Sequence, residues 1–182
     1  MFRKKRANIK ILLLKNDFKF KFYLILNNNK YQKMNILVIG ASKSGKSAAI
    51  LAKKLGHNVF VSELQNSEKF EDTIQEFNKY SIDYEFGINS LAHLNGIDLI
   101  ITSPGVPREA EILVEAHKQG IETISEIEFA YRNCDNPIIA ITGTNGKTTT
   151  TALIEFILKV GGKKAVAAGN IGLPFSDLIG KL

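Results

Sequence analysis

The chain has 182 residues, enough for one large or two small domains with their own cores. Its formal net charge of +6 is unevenly placed: residues 1–33 hold 10 Lys and Arg against Asp17 alone, leaving 14 Lys and Arg against 17 Asp and Glu elsewhere. The body is therefore mildly acidic, which argues against nucleic-acid binding. The single Cys134 excludes an internal disulfide framework and fits a reducing cytoplasm. His57, His93 and His117 lie far apart, with no Cys or carboxylate spacing that would make them metal ligands.

Residues 1–33 are rich in Lys, Asn, Ile, Leu and Phe, but Lys15, Asp17, Lys19 and Lys21 interrupt every apolar run, and none is long enough to span a bilayer. No cleavage-site pattern follows, so the segment is not a secretory signal. It reads either as a basic arm for membrane or RNA or, preferably, as an extension outside the fold that precedes a start at Met34.

From Met34 onward, short apolar runs alternate with helical stretches, which predicts an α/β fold with a parallel sheet covered by helices. Strands are expected at Asn35–Ile39, 59–62, Asp83–Phe86, 97–101 and 122–124. Between them the spacing predicts helices at 47–55, closed by Gly56, at 68–79 with Phe70, Ile74 and Phe77 on one face, and from Pro107 to Gly120. A second unit starts after Asn133: the run IIAIT at 138–142 reads as a buried strand, followed by a glycine loop and a helix carrying Leu153, Ile154, Ile157 and Leu158. Gly161 and Gly162 end that helix, 165–168 reads as another strand, and GNIGLP turns into a last short helical piece. The expected domains are thus 34–133 and 134–182, the second with too few strands for a closed core.

Two loops compete as phosphate sites, each between a strand and a helix. GASKSGKS at 40–47 fits the strict P-loop pattern, but the buried strand that should supply a magnesium acid ends in Thr102 and Ser103. Glu63, 23 residues after Gly40, instead stands near the spacing at which a dinucleotide fold places its ribose-binding acid, so this loop resembles a Rossmann-type turn with Ser42 at the central glycine position. GTNGKTTTT at 143–151 lacks the first P-loop glycine, where Ile141 stands. Every other P-loop role has an occupant: Gly143, Thr144, Asn145 and Gly146 to bend around phosphate oxygens, Lys147 to reach the β- and γ-phosphates, Thr148 to hold Mg2+, and Thr149 beside it.

ITGTNGKTTT, SPGVP, SEIEF at 125–129 and GNIGLP at 169–174 are similar, in order and spacing, to the Mur ligases of bacterial peptidoglycan synthesis, most closely to the branch that adds D-glutamate. The resemblance runs from Met34 to Leu182 and implies a Rossmann-like UDP-binding domain followed by the start of a P-loop ATPase central domain. By position it implies that Ser42, Lys43 and Ser44 lie beside the diphosphate and Glu63 near the uracil, with Ser103 and Gly105 lining the same pocket and Asn170 meeting the muramoyl-alanine part. It also implies ATP and Mg2+ at 143–149, with Lys147 and Thr148 as the catalytic pair.

The implied chemistry is amide formation between UDP-N-acetylmuramoyl-L-alanine and D-glutamate through an acyl phosphate, in the cytoplasm. The family's remaining central region and its amino-acid-binding domain have no counterpart here, so the chain is expected to be inactive alone, as a fragment, a broken reading frame or one part of a split protein. Rival readings are a P-loop ATPase or kinase built on the first loop, a non-catalytic uridine-nucleotide-binding fragment, and a Mur ligase for L-alanine, L-lysine or diaminopimelate.

Overall fold

The computed structural model describes residues 11–16, 19–24, 33–169 and 172–181. Strands β1 (Ile11–Asn16) and β2 (Lys19–Leu24) pair antiparallel as a hairpin, Ile11 opposite Leu24, and form a sheet of their own. Residues 1–10, 17–18 and 25–32 of the basic extension lie outside the described residues.

The main sheet has five parallel strands: β3 (Asn35–Ile39), β4 (Asn58–Glu63), β5 (Asp83–Phe86), β6 (Leu99–Thr102) and β7 (Glu122–Ser125), in the order β5-β4-β3-β6-β7. β3 is central because NILVI is apolar without alternation; Ile36, Leu37, Val38 and Ile39 are all buried, as a strand covered on both faces requires. Helices α1 (Lys43–Lys54), α2 (Glu71–Lys79) and α4 (Glu126–Arg132) cover one face through Ala48, Ala49, Ala52, Phe77 and Phe129. Helix α3 (Glu111–Lys118) covers the other with Ile112 and Ala116 against Leu37, Ile39 and Ile100.

Several boundaries differ from those expected, each for a local reason. Helix α1 begins at Lys43 and so contains Gly45 and Lys46. The expected helix 68–79 is a 3-10 turn, Ser67–Lys69, followed by α2; Phe70, at φ −123°, leaves the helical region and is buried between them. Pro107 starts a turn closed by the Ala110 N–H on its own carbonyl, and α3 follows only at Glu111. Helix α4 was not anticipated, although Ser125 and Glu128 form the S-x-x-E signature of a helix start, and the Glu128 N–H does donate to Ser125 Oγ at 3.2 Å.

The expected strands 138–142 and 165–168 do not form. A strand exists only by pairing, and among the described residues neither run has a neighbour; Ile139 is 60% exposed. Helix α5 (Lys147–Val160) does form but buries no residue, and Leu153, Phe156, Ile157 and Val160 face outward. The last piece is a 3-10 turn, Phe175–Leu178, packed against α1 and α4.

Candidate functional site

The order of the strands fixes where a ligand can sit. The chain leaves β3 toward β4 and β5 on one side and returns to β6 and β7 on the other, so the switch point, where open α/β sheets bind their ligands, lies at the carboxyl ends of β3 and β6. Residues 40–44 and 103–107 flank it.

The first of these loops is packed as tightly as backbone allows. Gly40, at φ +97°, donates its N–H to the Ser62 carbonyl at 2.8 Å, while Ser103 Oγ donates to the Gly40 carbonyl at 3.2 Å. A Cβ on Gly45 would lie 1.8 Å from the Gly40 oxygen and 2.6 Å from Ser103 Oγ, so only glycine lets α1 start this close to β3 and β6. Gly40 and Gly45 thus take the first and third glycine roles of a dinucleotide turn, tight turning and close helix packing.

Glu63 completes the turn from the next strand. The residue is 7% exposed, and its carboxylate accepts the Ala41 N–H at 2.7 Å on one oxygen and the Gln65 N–H at 2.9 Å on the other. The structure brings Ser42, Lys43, Ser44, Glu63, Ser103 and Gly105 to one end of the sheet. They differ in availability: Ser42, Lys43 and Gly105 are exposed, Ser44 is half-buried, and Ser103 is buried beneath Gly40. Ser42 precedes α1 without capping it through its side chain, which leaves the first-turn N–H groups facing out with the positive end of a twelve-residue helix. Asn170 lies outside the described residues.

Lys46, which the strict P-loop pattern would aim at phosphates, instead pairs with Glu76 of α2 at 3.3 Å. It is the fourth residue of α1, whereas a P-loop lysine stands at the junction of loop and helix. The second loop has that arrangement. Gly146 is left-handed at φ +76° and α5 starts on the following residue, Lys147. The Lys147 ammonium folds back to donate to the Gly143 and Thr144 carbonyls, and Thr148 and Thr149 are exposed on the first turn.

A polar cluster that sequence reading missed joins β4, β5 and the loop after β5. Glu85 accepts from Ser62 Oγ at 2.6 Å, from Ser90 N–H at 2.8 Å and from Ser90 Oγ at 2.7 Å, and His93 Nε2 lies 3.2 Å away. Burial works against the Glu85 charge, but the hydrogen bonds from Ser62 and Ser90 and the neighbouring His93 outweigh it and hold the carboxyl below the usual range. The cluster fixes 87–90 beside Glu63, whose carbonyl also takes the Gly87 N–H at 2.9 Å. Its members are scattered through β4, β5 and the following loop, and only their partnership marks them.

Residues 34–125 match the model of the MurD-like N-terminal domain of Mur ligases. The chain belongs to the Mur ligase family. It is 38% identical over 156 residues to the UDP-N-acetylmuramoylalanine–D-glutamate ligase of Salinibacter ruber, covering 83% of this chain and 33% of that protein. With the ligase of the same name from Caldicellulosiruptor bescii it shares 44% identity over 146 residues, 80% of this chain and 32% of the relative. This Mur ligase chain therefore spans about a third of the length of those curated relatives. A murein peptide ligase from Psychrobacter arcticus has the same fold, with a TM-score of 0.52 at 23% identity over 81% of this chain and 32% of its own. Among the described residues no helix is long and apolar enough to cross a membrane, and no group of three His, Cys, Asp or Glu is placed to hold a metal ion.

Proposed function

We propose that this chain is the N-terminal part of an ATP-dependent ligase that joins D-glutamate to UDP-N-acetylmuramoyl-L-alanine in peptidoglycan synthesis. The observation that carries the reading is the cradle at the switch point: Gly40, Gly45 and Ser103 in mutual contact, Glu63 holding Ala41, and the exposed start of α1 above them. A diphosphate matches it, because the backbone N–H groups and helix dipole there favour an anion. Ser42, Lys43 and Ser44 would border the diphosphate, Glu63 and Gly105 the nucleoside end, and Asn170 the muramoyl-alanine portion.

The 143–149 loop suits ATP and Mg2+. Gly143 and Gly146 adopt φ of +154° and +76°, and little stands in front of either. The Lys147 ammonium lies against the Gly143 and Thr144 carbonyls, where it would neutralise phosphate charge, and the exposed Thr148 on the first turn would ligate the metal through its hydroxyl. ATP supplies the phosphoryl group that activates the substrate carboxylate as an acyl phosphate; the protein positions that carboxylate and stabilises charge. Domains at 34–133 and 134–182 accompany the reading, the second being the start of the central ATP-binding domain. The names of the relatives favour D-glutamate over the amino acids added by other Mur ligases.

A P-loop ATPase built on the first loop would need Lys46 at the phosphates, and the Glu76 pair speaks against it. The test is calorimetry with UDP-N-acetylmuramoyl-L-alanine and with Mg·ATP, followed by phosphate release after co-expression with the downstream part of a complete relative. The expected result is UDP-sugar binding that survives Lys46→Ala, and D-glutamate-dependent turnover that appears on complementation and vanishes with Lys147→Ala. Preference for Mg·ATP at the first loop, abolished by Lys46→Ala, would overturn the assignment of the two loops.

A further inference from the structure

Glu126 is the first residue of α4, 3% exposed, and it is not there for packing alone. A buried carboxylate is costly unless hydrogen-bonded, and its Oε1 accepts the backbone N–H of Ser176 at 2.6 Å across 50 residues of chain. Such a charge-assisted bond is short and strong. The Ser176 hydroxyl, equally buried, makes no hydrogen bond, so the grip is on the backbone.

A second contact holds the other end of the same segment. Lys43 is the first residue of α1, and no acidic residue stands in that helix's first turn. A cation there opposes the helix dipole; its ammonium is compensated by donating to the Gly172 carbonyl. The Gly169 N–H donates to the Leu173 carbonyl at 2.9 Å and closes the turn between. Ile179 then packs against the core cluster under α1.

We propose that Glu126 is a positioning residue for the uridine-nucleotide site. By holding the Ser176 amide it seats segment 172–178 against α1, so that the Gly172 carbonyl and a diphosphate at the start of α1 share the Lys43 ammonium. The segment, although it follows α5, is thereby part of the site on the first sheet. The inference rests on the reading of that helix start as the diphosphate site, and the experiment separates the two.

Amide hydrogen exchange is measured on the full chain and on Glu126→Gln, Glu126→Leu, Ser176→Ala and Lys43→Met, each without ligand and with UDP. Glu126→Leu is expected to speed exchange at Ser176 by about tenfold, with β3 and β6 unchanged, whereas Glu126→Gln, which can still accept, stays close to the parent. Ser176→Ala is expected to be neutral, and Lys43→Met to loosen only the Gly172 end. UDP is expected to protect 172–178 in the parent and to bind about tenfold more weakly to Glu126→Leu, with affinity restored in Glu126→Gln. Unchanged Ser176 exchange in both Glu126 variants overturns the tether. Full UDP affinity in Glu126→Leu with Ser176 released overturns the positioning role. If the parent protein binds no UDP, the nucleotide-site reading fails and takes the positioning role with it, and the ligand-free exchange then decides the tether alone.

Discussion

Glu63 holds Ala41 from the neighbouring strand: its Oε2 takes the Ala41 N–H at 2.7 Å, directly after the left-handed Gly40. The second carboxylate oxygen is occupied by Gln65. Glutamine cannot replace it, because one end of an amide is a donor and would face an N–H. Glu63→Gln is expected to cost about 1–3 kcal/mol of stability, the usual penalty for a buried donor left unpaired. Urea denaturation checks this, and an unchanged midpoint would mean that the turn does not depend on the carboxylate.

Gly45→Ala is expected to be far more damaging than a glycine-to-alanine change in an ordinary helix, where it stabilises. Its methyl group would collide with the Gly40 carbonyl, which is backbone and cannot swing aside. A loss of about 3 kcal/mol or more follows, together with loss of UDP binding. Thermal melting and calorimetry on the same samples read both.

Glu85 makes stability depend on acidity. Its folded pKa lies below the ordinary glutamate value because hydrogen bonding outweighs burial. The stabilisation is therefore fully present above about pH 4.3, the unfolded value, and fades as pH falls through the lower folded value. Urea midpoints of the parent and of Glu85→Gln, taken from pH 6 down to about pH 3, are expected to converge at the acid end. Parallel curves would show that Glu85 does not titrate with folding.

Deletion of residues 1–33 is expected to leave the melting temperature of the remainder nearly unchanged, since the β1–β2 hairpin pairs only with itself in the described sheets. A drop of many degrees would show that the extension packs on the fold.

The inner strands β3, β4 and β6 were legible because each carries a short apolar run, ILVI, VFV and LII, between turn residues; at one edge Asp83–Phe86, where acid and aromatic alternate, was also placed to the residue. Helix starts were less so: propensity disfavours Gly45 inside a helix, and only the contact with Gly40 explains it. The runs at 138–142 and 165–168 have strand composition, but composition cannot supply a pairing partner. Gly40, Glu63 and Lys147 were singled out from spacing along one stretch of chain, although Glu63, expected near the uracil, has both carboxylate oxygens on the Ala41 and Gln65 amides. Glu126 and Glu85 were not, because each earns its place through a partner far away or on an adjacent strand.

The bond between Ser103 and Gly40 spans 63 residues. No half-formed intermediate that lacks β6 can therefore possess the cradle, which comes into being only once β6 has joined the sheet. A nucleotide that fits it recognises the native ensemble alone, so mass action raises the free energy of unfolding by about 2.7 kcal/mol at a hundredfold excess over its dissociation constant. In a cell, supply of the nucleotide precursor would then govern how long this chain survives proteolysis as well as whether it is occupied.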